Sequence, residues 1–221
     1  MTDKQRAAKV LQILQRTLEL PGWVKGKRDA FETLVVTIIS QNTADTNTAR
    51  AFESLSKRLE ISPEALANAE VSQIEAAIRI AGLYQSKAKA IHQAAATLLE
   101  KYGGSIQQIL ELPLEEARAA LMQFPGVGPK TADVVLLFSA KQPTIPVDTH
   151  VNRVSKRLGF APVKGDYECV RNSLQQLFNP ADYLAVHLLL IAHGRKTCKA
   201  RRPLCAECPV NNYCPTCGHW G

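Results

Sequence analysis

The stretch FPGVGPKTA, Phe124 to Ala132, is a strong local signal for the fold of this chain of 221 residues. Its two glycines lie one residue apart between an amphipathic segment and an apolar one, which predicts a tight turn between two helices. In such a turn both glycines can adopt conformations that are closed to other residues. The N–H groups of the turn lie beside the N-terminus of a helix that begins near Pro129, and both favour a phosphate group. We therefore expect Gly126, Val127 and Gly128 to hold a nucleic-acid backbone without regard to its sequence.

Helical spacing of apolar residues recurs along the whole chain, whereas the alternation typical of strands is scarce. Ser62 followed by Pro63 predicts one helix start, and Ser72 with Glu75 predicts a second through a capping box. The chain is therefore expected to be all-α. The helices that spacing predicts are residues 6–20, 30–39, 46–59, 86–102, 115–124, 130–140, 148–158 and 181–193.

Composition indicates a globular protein with an anionic partner. The apolar fraction is 46%, and no apolar run approaches the roughly 20 residues that a membrane span requires. The first ten residues lack the apolar core of a signal peptide, so we expect a cytoplasmic chain. A net charge of +7 favours a polyanion such as nucleic acid. Lys87, Lys89 and Lys101 are expected to be solvated on helix faces.

Four cysteines near the C-terminus have the spacing C-x6-C-x2-C-x5-C, which predicts a site for a metal ion or an iron-sulfur cluster. They are Cys198, Cys205, Cys208 and Cys214. The spacing alone suits zinc as well as iron. A disulfide framework is the alternative, but nothing indicates an oxidising compartment. Cys169 and Cys217 are expected to be free thiols. Because Lys199, Arg201 and Arg202 lie inside the motif, we expect the loop to bind an anion.

Two further residues have the character of catalytic groups. Lys130 is expected in the first turn of its helix, where the positive end of the helix dipole makes an ammonium group lose its proton more readily than in water. A neutral amine is a nucleophile. Asp148 precedes another predicted helix. The structural alternatives are that Lys130 only contacts phosphate and that Asp148 only caps its helix.

The hairpin, the VDTH sequence at 147–150 and the cysteine tail occur in the order and at the separations of a known family. Together they resemble the helix-hairpin-helix base-excision DNA glycosylases of the endonuclease III type. The resemblance implies two helical domains that flank a DNA-binding cleft. Residues 24–141 would form a six-helix barrel domain with the helix-hairpin-helix, and residues 1–23 with 142–221 a domain that holds a [4Fe-4S] cluster on the four cysteines.

The resemblance also implies a function. The chain would be a monomer that acts on double-stranded DNA with damaged bases, such as oxidised pyrimidines, or with abasic sites. Lys130 would be the catalytic nucleophile of a bifunctional glycosylase and lyase, with Asp148 as its catalytic partner. A side chain of the segment SQNTAD at 40–45 would fill the space that the flipped base leaves in the duplex, and Leu83 would wedge between bases of the opposite strand.

Two departures from the family pattern affect these assignments. The family's segment usually has the sequence SAQATD, so here Asn42, with Gln41 beside it, occupies the gap-filling position, while Asp45 matches the family's acid. Pro129 stands where an arginine commonly precedes the lysine, which removes one phosphate-facing cation. Two other functions stay open at this point. One is a monofunctional mismatch glycosylase, and the other is a non-catalytic DNA-binding module whose tail is stabilised by zinc.

Overall fold

The structure is a computed structural model that describes residues 1–19 and 28–218. The described residues are helical throughout and contain no strand, which confirms the all-α prediction. Twelve α-helices occur within them, and none is long and apolar enough to cross a membrane. They are α1 (Asp3–Thr17), α2 (Ala30–Ser40), α3 (Asp45–Arg58), α4 (Pro63–Asn68), α5 (Val71–Ala77), α6 (Tyr84–Tyr102), α7 (Gln107–Leu110), α8 (Leu114–Leu121), α9 (Pro129–Ala140), α10 (Thr149–Arg157), α11 (Tyr167–Leu177) and α12 (Tyr183–Lys196).

Several helix starts follow local capping rules, although α3, α6 and α9 begin without a side-chain cap. Ser62 caps α4 by accepting a hydrogen bond from the N–H of Ala65, and Pro63 is the first helical residue, as predicted. The capping box predicted at Ser72 is wrong, because α5 already begins at Val71. The side chain of Gln73 accepts a hydrogen bond from the N–H of Glu70 at 3.1 Å, and this contact sets the earlier start.

The chain divides into two compact units, Met1–Gly26 with Pro143–Gly221 and Lys27–Gln142. The domain boundary expected at residues 23 and 24 lies outside the described residues, as does the end of the first predicted helix at residue 20. The helix α11, which begins at the cap residue Asp166, is absent from the predicted helices. Its apolar face is narrow, since Val170 and Leu174 are its buried apolar residues.

The unit Lys27–Gln142 is built around α2, which packs against α3, α6 and α9. This helix is apolar on nearly all sides, with Leu34, Val35, Ile38 and Ile39 at most 1% exposed. A helix with that pattern is expected at the centre of a bundle.

The second unit holds α1, α10, α11, α12 and the cysteine segment. Arg6 of α1 fastens its parts together, since its guanidinium donates hydrogen bonds to the carbonyl groups of Leu158, Gly159 and Tyr213. The same guanidinium lies 5.0 Å from the ring centroid of Phe160. One residue of α1 therefore supports the end of α10 and the approach to Cys214.

Candidate functional site

The hairpin predicted from FPGVGPKTA lies between α8 and α9. Phe124 is 2% exposed and anchors the turn in the core, and the N–H of Val127 donates to its carbonyl at 3.0 Å. Gly126 has a φ of +77°, and a Cβ there would lie 2.8 Å from the Cβ of Ala90. The turn therefore requires glycine at this position, as predicted.

The same expectation is wrong for Gly128. Its φ of −96° and ψ of −179° are open to any residue, and a Cβ there would meet no atom within 4 Å. Gly128 is the N-cap of α9, and it has no side chain with which to cap the helix. An N-terminus without a side-chain cap keeps amide groups of the first turn available to an anion. Pro129 is the first helical residue and Lys130 the second, half-buried in the first turn.

The two helices of the hairpin are joined by a buried ion pair that the sequence did not indicate. Nε of Arg118 on α8 lies 2.9 Å from Oδ1 of Asp133 on α9, and Asp133 is fully buried. A buried pair of this kind fixes the relative position of two helices because either charge alone is costly to bury. Both segments contain further charged residues, so the sequence offered no specific signal for this pair.

The segment 40–45 follows α2 directly, and its side chains point in different directions. Gln41 is the C-cap of α2, and its Nε2 donates to the carbonyl of Gly126 at 2.8 Å and to Oγ1 of Thr131 at 3.3 Å. Asn42 is exposed, with a φ of +51°. Asp45 is an exposed residue at the start of α3. Gln41 therefore connects the segment to the hairpin, and Asn42 faces outward.

Leu83 forms the N-cap of α6 with a φ of +58°. Its side chain is 64% exposed, so the glycine turn does present a large apolar side chain outward. Gly82 lies beside the 40–45 segment, because a Cβ at Gly82 would be 3.7 Å from the carbonyl oxygen of Asn42. The two segments predicted to enter DNA are thus neighbours.

The expectation that Lys87 is solvated is wrong, because its side chain is buried. It is 3% exposed, and its Nζ donates to the carbonyl of Ile39 at 2.9 Å and to Oγ1 of Thr43 at 2.6 Å. Burial lowers the pKa of this ammonium group below its ordinary value. Lys89 and Lys101 are exposed, as predicted.

In the other unit Asp148 is the half-buried N-cap of α10. Its Oδ1 accepts a hydrogen bond from the N–H of Val151 at 2.7 Å, so the capping role is present. His150 follows in the first turn, and burial is the main reason why its pKa lies below the ordinary value. Nδ1 of His150 lies 3.1 Å from a guanidinium nitrogen of Arg153, which makes that ring nitrogen the acceptor.

The four predicted cysteine ligands line one cavity. Cys198 follows the C-cap of α12, and two short 3-10 turns, Cys205–Glu207 and Asn211–Tyr213, position the other three. Cys217 and His193 line the same cavity. His193 is 1% exposed, with Nε2 3.7 Å from Sγ of Cys208, and burial lowers its pKa to about 4. The imidazole is therefore neutral at physiological pH, and it contacts the ligand set from outside.

The donor set suits an iron-sulfur cluster. Four thiolates are the usual protein ligands of a [4Fe-4S] cubane, and each binds a different iron. A single zinc ion instead draws its four ligands together at about 2.3 Å from the metal. The four sulfurs that line this cavity match the ligand set of such a cluster.

The loop that bears the cations is held by two arginines of α10. Arg157 donates to the carbonyl groups of Lys199 at 2.6 Å and Ala200 at 3.1 Å, and Arg153 donates to the carbonyl of Cys198 at 3.1 Å. Neither arginine was identified from the sequence, although their i, i+4 spacing places them on one side of the helix. The side chains of Lys199, Arg201 and Arg202 are exposed on this supported loop.

Comparison with known proteins assigns the class. Residues 35–180 match the model of the HhH-GPD superfamily of base excision DNA repair proteins, and residues 198–214 match the iron-sulfur binding domain of endonuclease III. The second match confirms the [4Fe-4S] cluster. This combination defines a base-excision-repair protein with a cluster-bearing C-terminal segment.

The relatives narrow the class. Endonuclease III of Sulfolobus acidocaldarius is 38% identical over 88% of this chain and 86% of its own length. Endonuclease III of Escherichia coli strain K12 is 38% identical over 94% of this chain and 95% of its own. A solved endonuclease III–DNA covalent intermediate superposes with a TM-score of 0.84, at 31% identity and 97% coverage of both chains. The chain belongs to the endonuclease III family.

Family membership confirms the resemblance inferred from the three motifs, together with the fold class. The protein is a base-excision-repair DNA glycosylase, and abasic-site lyase activity is characteristic of its family. A non-catalytic module with a zinc-stabilised tail does not fit this membership. A likeness to a thermostable thymine-DNA glycosylase, at 21% identity and a TM-score of 0.73, concerns the fold alone.

Proposed function

We propose that this protein removes oxidised pyrimidine bases from double-stranded DNA and then cuts the strand on the 3′ side of the abasic site. The observation that carries the proposal is the position of Lys130. This half-buried lysine lies in the first turn of α9, whose N-terminus follows the hairpin and has no side-chain cap. Monofunctional relatives carry another residue at that position, so the lysine favours the combined glycosylase and lyase activity.

The chemistry follows from the amine. Neutral Lys130 attacks C1′ of the extruded nucleotide, the glycosidic bond breaks, and the base departs with its electron pair. Loss of a proton from nitrogen and opening of the sugar ring leave an imine between Lys130 and C1′. The imine acidifies the proton on C2′, and removal of that proton expels the 3′ phosphate, which breaks the strand.

Asp148 has two roles in this proposal. One carboxylate oxygen caps α10 through Val151, and the negative charge stabilises the positive charge that develops on the sugar as the base leaves. The two roles are compatible, because a carboxylate has more acceptor sites than the single cap contact uses.

Binding of the duplex is assigned to three parts of the chain. Gly126 and Gly128 shape the hairpin so that its amide groups approach a phosphate, and Val127, whose side chain is buried, supports the turn from inside. Asn42, with Asp45 nearby, and Leu83 enter the opened duplex. Lys199, Arg201 and Arg202 meet further phosphates. The last group is already ordered by its loop, which lowers the entropy lost on binding.

The [4Fe-4S] cluster would be held by Cys198, Cys205, Cys208 and Cys214. With all four protein ligands supplied it offers no open coordination position, so its contribution is to fix the loop that carries the cations. We further propose that the unit Lys27–Gln142 is the six-helix barrel domain and that the protein acts as a monomer in the cytoplasm, at the nucleoid of a prokaryotic cell.

Borohydride reduction tests the proposal, because it converts the imine into a stable bond between protein and DNA. The substrates are duplexes that carry either a thymine glycol or an abasic site, and the proteins are the wild type, Lys130→Ala and Lys101→Ala. Lys101 is an exposed lysine of α6 and serves as the matched control. We expect a covalent adduct with the wild type and with Lys101→Ala, and none with Lys130→Ala.

Strand cleavage measured with and without alkali distinguishes a bifunctional glycosylase and lyase from a monofunctional glycosylase. If the wild type releases thymine glycol but leaves the strand intact until alkali is added, the protein is a monofunctional glycosylase and Lys130 contributes only charge. If Lys130→Ala still forms the adduct, another amine is the nucleophile and the assignment of Lys130 is wrong.

A further inference from the structure

Lys87 is a buried cation that the proposed chemistry does not use. It lies in the first turn of α6 and is 3% exposed, while Lys89 on the same helix is exposed. A buried ammonium group costs free energy, and an apolar side chain of similar volume commonly gives equal or greater stability at such a site. The lysine therefore calls for a reason other than stability.

The contacts of Lys87 enclose one short segment. Its Nζ donates to the carbonyl of Ile39, in the last turn of α2, and to the hydroxyl of Thr43. The carbonyl end of a helix carries partial negative charge and suits a cation. Gln41 and Asn42 lie between the two contacts. A single ammonium group thus fixes the chain on both sides of the residues expected to fill the gap left by a flipped base.

The second insertion segment lies at the start of the helix that carries Lys87. Its N–H donates to the carbonyl of Leu83 at 3.1 Å, and Leu83 is the exposed residue with a φ of +58°. Gly82 approaches the carbonyl of Asn42 closely enough that an added Cβ would lie 3.7 Å from it. The bond from the N–H of Lys87 is the ordinary first hydrogen bond of α6, whereas its side chain contacts the 39–43 segment beside the turn that carries Leu83.

Gln41 links the 39–43 segment to the hairpin. Its amide is directed to Gly126 and Thr131, which ties the segment to the hairpin next to Lys130. Asn42 is left as the exposed amide, in a left-handed conformation that asparagine tolerates better than most residues. The segment has one residue that anchors it and one that projects.

We propose that Lys87 is a positioning residue for base extrusion, whose ammonium group fixes the 39–43 segment beside the Leu83 turn so that Asn42 and Leu83 project together into the opened duplex. In this arrangement Asn42, and not Gln41, fills the gap. The inference rests on the proposed glycosylase function. Preorganisation of both segments lowers the entropy lost when they enter the DNA.

The test compares Lys87→Met with Lys89→Met. Both variants remove one positive charge from α6, but only the first removes the contacts with Ile39 and Thr43. Extrusion is followed by stopped-flow fluorescence of 2-aminopurine placed beside an abasic-site analogue, and base release by single-turnover kinetics on a thymine glycol duplex. We expect Lys87→Met to slow both about tenfold, whereas Lys89→Met stays within about twofold of the wild type.

A double-mutant cycle with Asn42→Ala distinguishes positioning from a general loss of structure. If Lys87 acts through Asn42, the double variant should be no more than about twofold slower than the slower single variant, because the second change removes a contribution already lost. Multiplied effects of the two single changes would overturn the proposal. Thermal unfolding of each variant is measured alongside.

Thr43→Val is the second variant, for the case that Lys87→Met does not fold. It removes one of the two Nζ contacts and keeps the charge, so we expect a smaller slowing of extrusion in the same direction. A Thr43→Val protein with wild-type extrusion kinetics would contradict the proposal. If the wild type itself neither extrudes the probe nor traps on an abasic duplex, the proposed function fails, and this inference fails with it.

Discussion

Gly126→Ala is expected to destabilise the protein through two separable effects in the hairpin. At a φ of +77° an alanine is held in the left-handed region, which costs about 1–2 kcal/mol. The new Cβ would also lie 2.8 Å from the Cβ of Ala90, and an overpacked contact of this kind costs about 1–3 kcal/mol. The free energy of unfolding should therefore fall by about 2–5 kcal/mol, a large share of the total stability of a domain.

Gly128→Ala is the matched control within the same turn. Its backbone conformation is open to alanine, and the added Cβ meets no atom within 4 Å. Because alanine restricts the unfolded chain more than glycine, the stability should be unchanged or higher by up to about 1 kcal/mol. The methyl group nevertheless lies at the N-cap of α9, so binding of a duplex with an abasic-site analogue should weaken.

Urea unfolding followed by circular dichroism measures the stability, and fluorescence anisotropy measures the binding. Ala90→Gly separates the two effects in Gly126→Ala. Alone it should cost about 0.5–1 kcal/mol, but in the Gly126→Ala background it should restore the part due to overpacking. Equal destabilisation by Gly126→Ala and Gly128→Ala, or fully additive effects of Ala90→Gly, would refute this account of the hairpin.

Three further outcomes are expected. Asp148→Asn should keep the helix cap and stay within about 0.5 kcal/mol of the wild-type unfolding free energy, whereas Asp148→Ala should lower that free energy by about 1 kcal/mol. Both variants should slow base release about a hundredfold. If Asp148→Asn released the base at the wild-type rate, Asp148 would serve only as a helix cap. Arg118→Leu should lower the unfolding free energy by about 3–5 kcal/mol because the buried carboxylate of Asp133 loses its ion pair with Arg118, and adding Asp133→Leu should recover part of that loss in urea titrations. Cys198→Ala should lose iron and visible absorbance while Cys217→Ala keeps both, as measured by iron analysis and absorption spectra; equal iron content in the two would contradict the ligand assignment.

The motifs that could be recognised in the sequence are those in which the chemistry lies within a few consecutive residues. Four thiolates in 17 residues form a ligand set wherever the segment folds, and residues 198–214 proved to be the iron-sulfur domain. The hairpin was predictable because glycine and proline act on the local backbone, although the sequence did not indicate that only Gly126 needs a positive φ. The error in the start of α5 also concerns a choice between nearby residues, since the observed N-cap, Glu70, lies two residues before the predicted one, Ser72.

The supporting contacts could not be predicted, since their partners are far apart in the chain. Arg153 and Arg157 support the loop of the cysteine segment from about 40 residues away. Gln41 and Gly126 are separated by 85 residues. Whether a polar side chain turns inward or outward depends on the acceptor that packing brings to it, which no local pattern contains.

The sequence by itself determined the helical content, the four cysteines proposed as ligands of the cluster, the position of Lys130 in the first turn of its helix and the cap at Asp148. These properties follow from side-chain chemistry and backbone preferences over a few residues. The tertiary structure decided that Lys87 is buried while Lys89 is not, that Gln41 faces the hairpin while Asn42 faces outward, and that the turn at Gly82 and Leu83 lies beside Asn42. Burial and partner choice arise only when distant helices pack, because the cost of an unpaired polar group is set by the atoms around it.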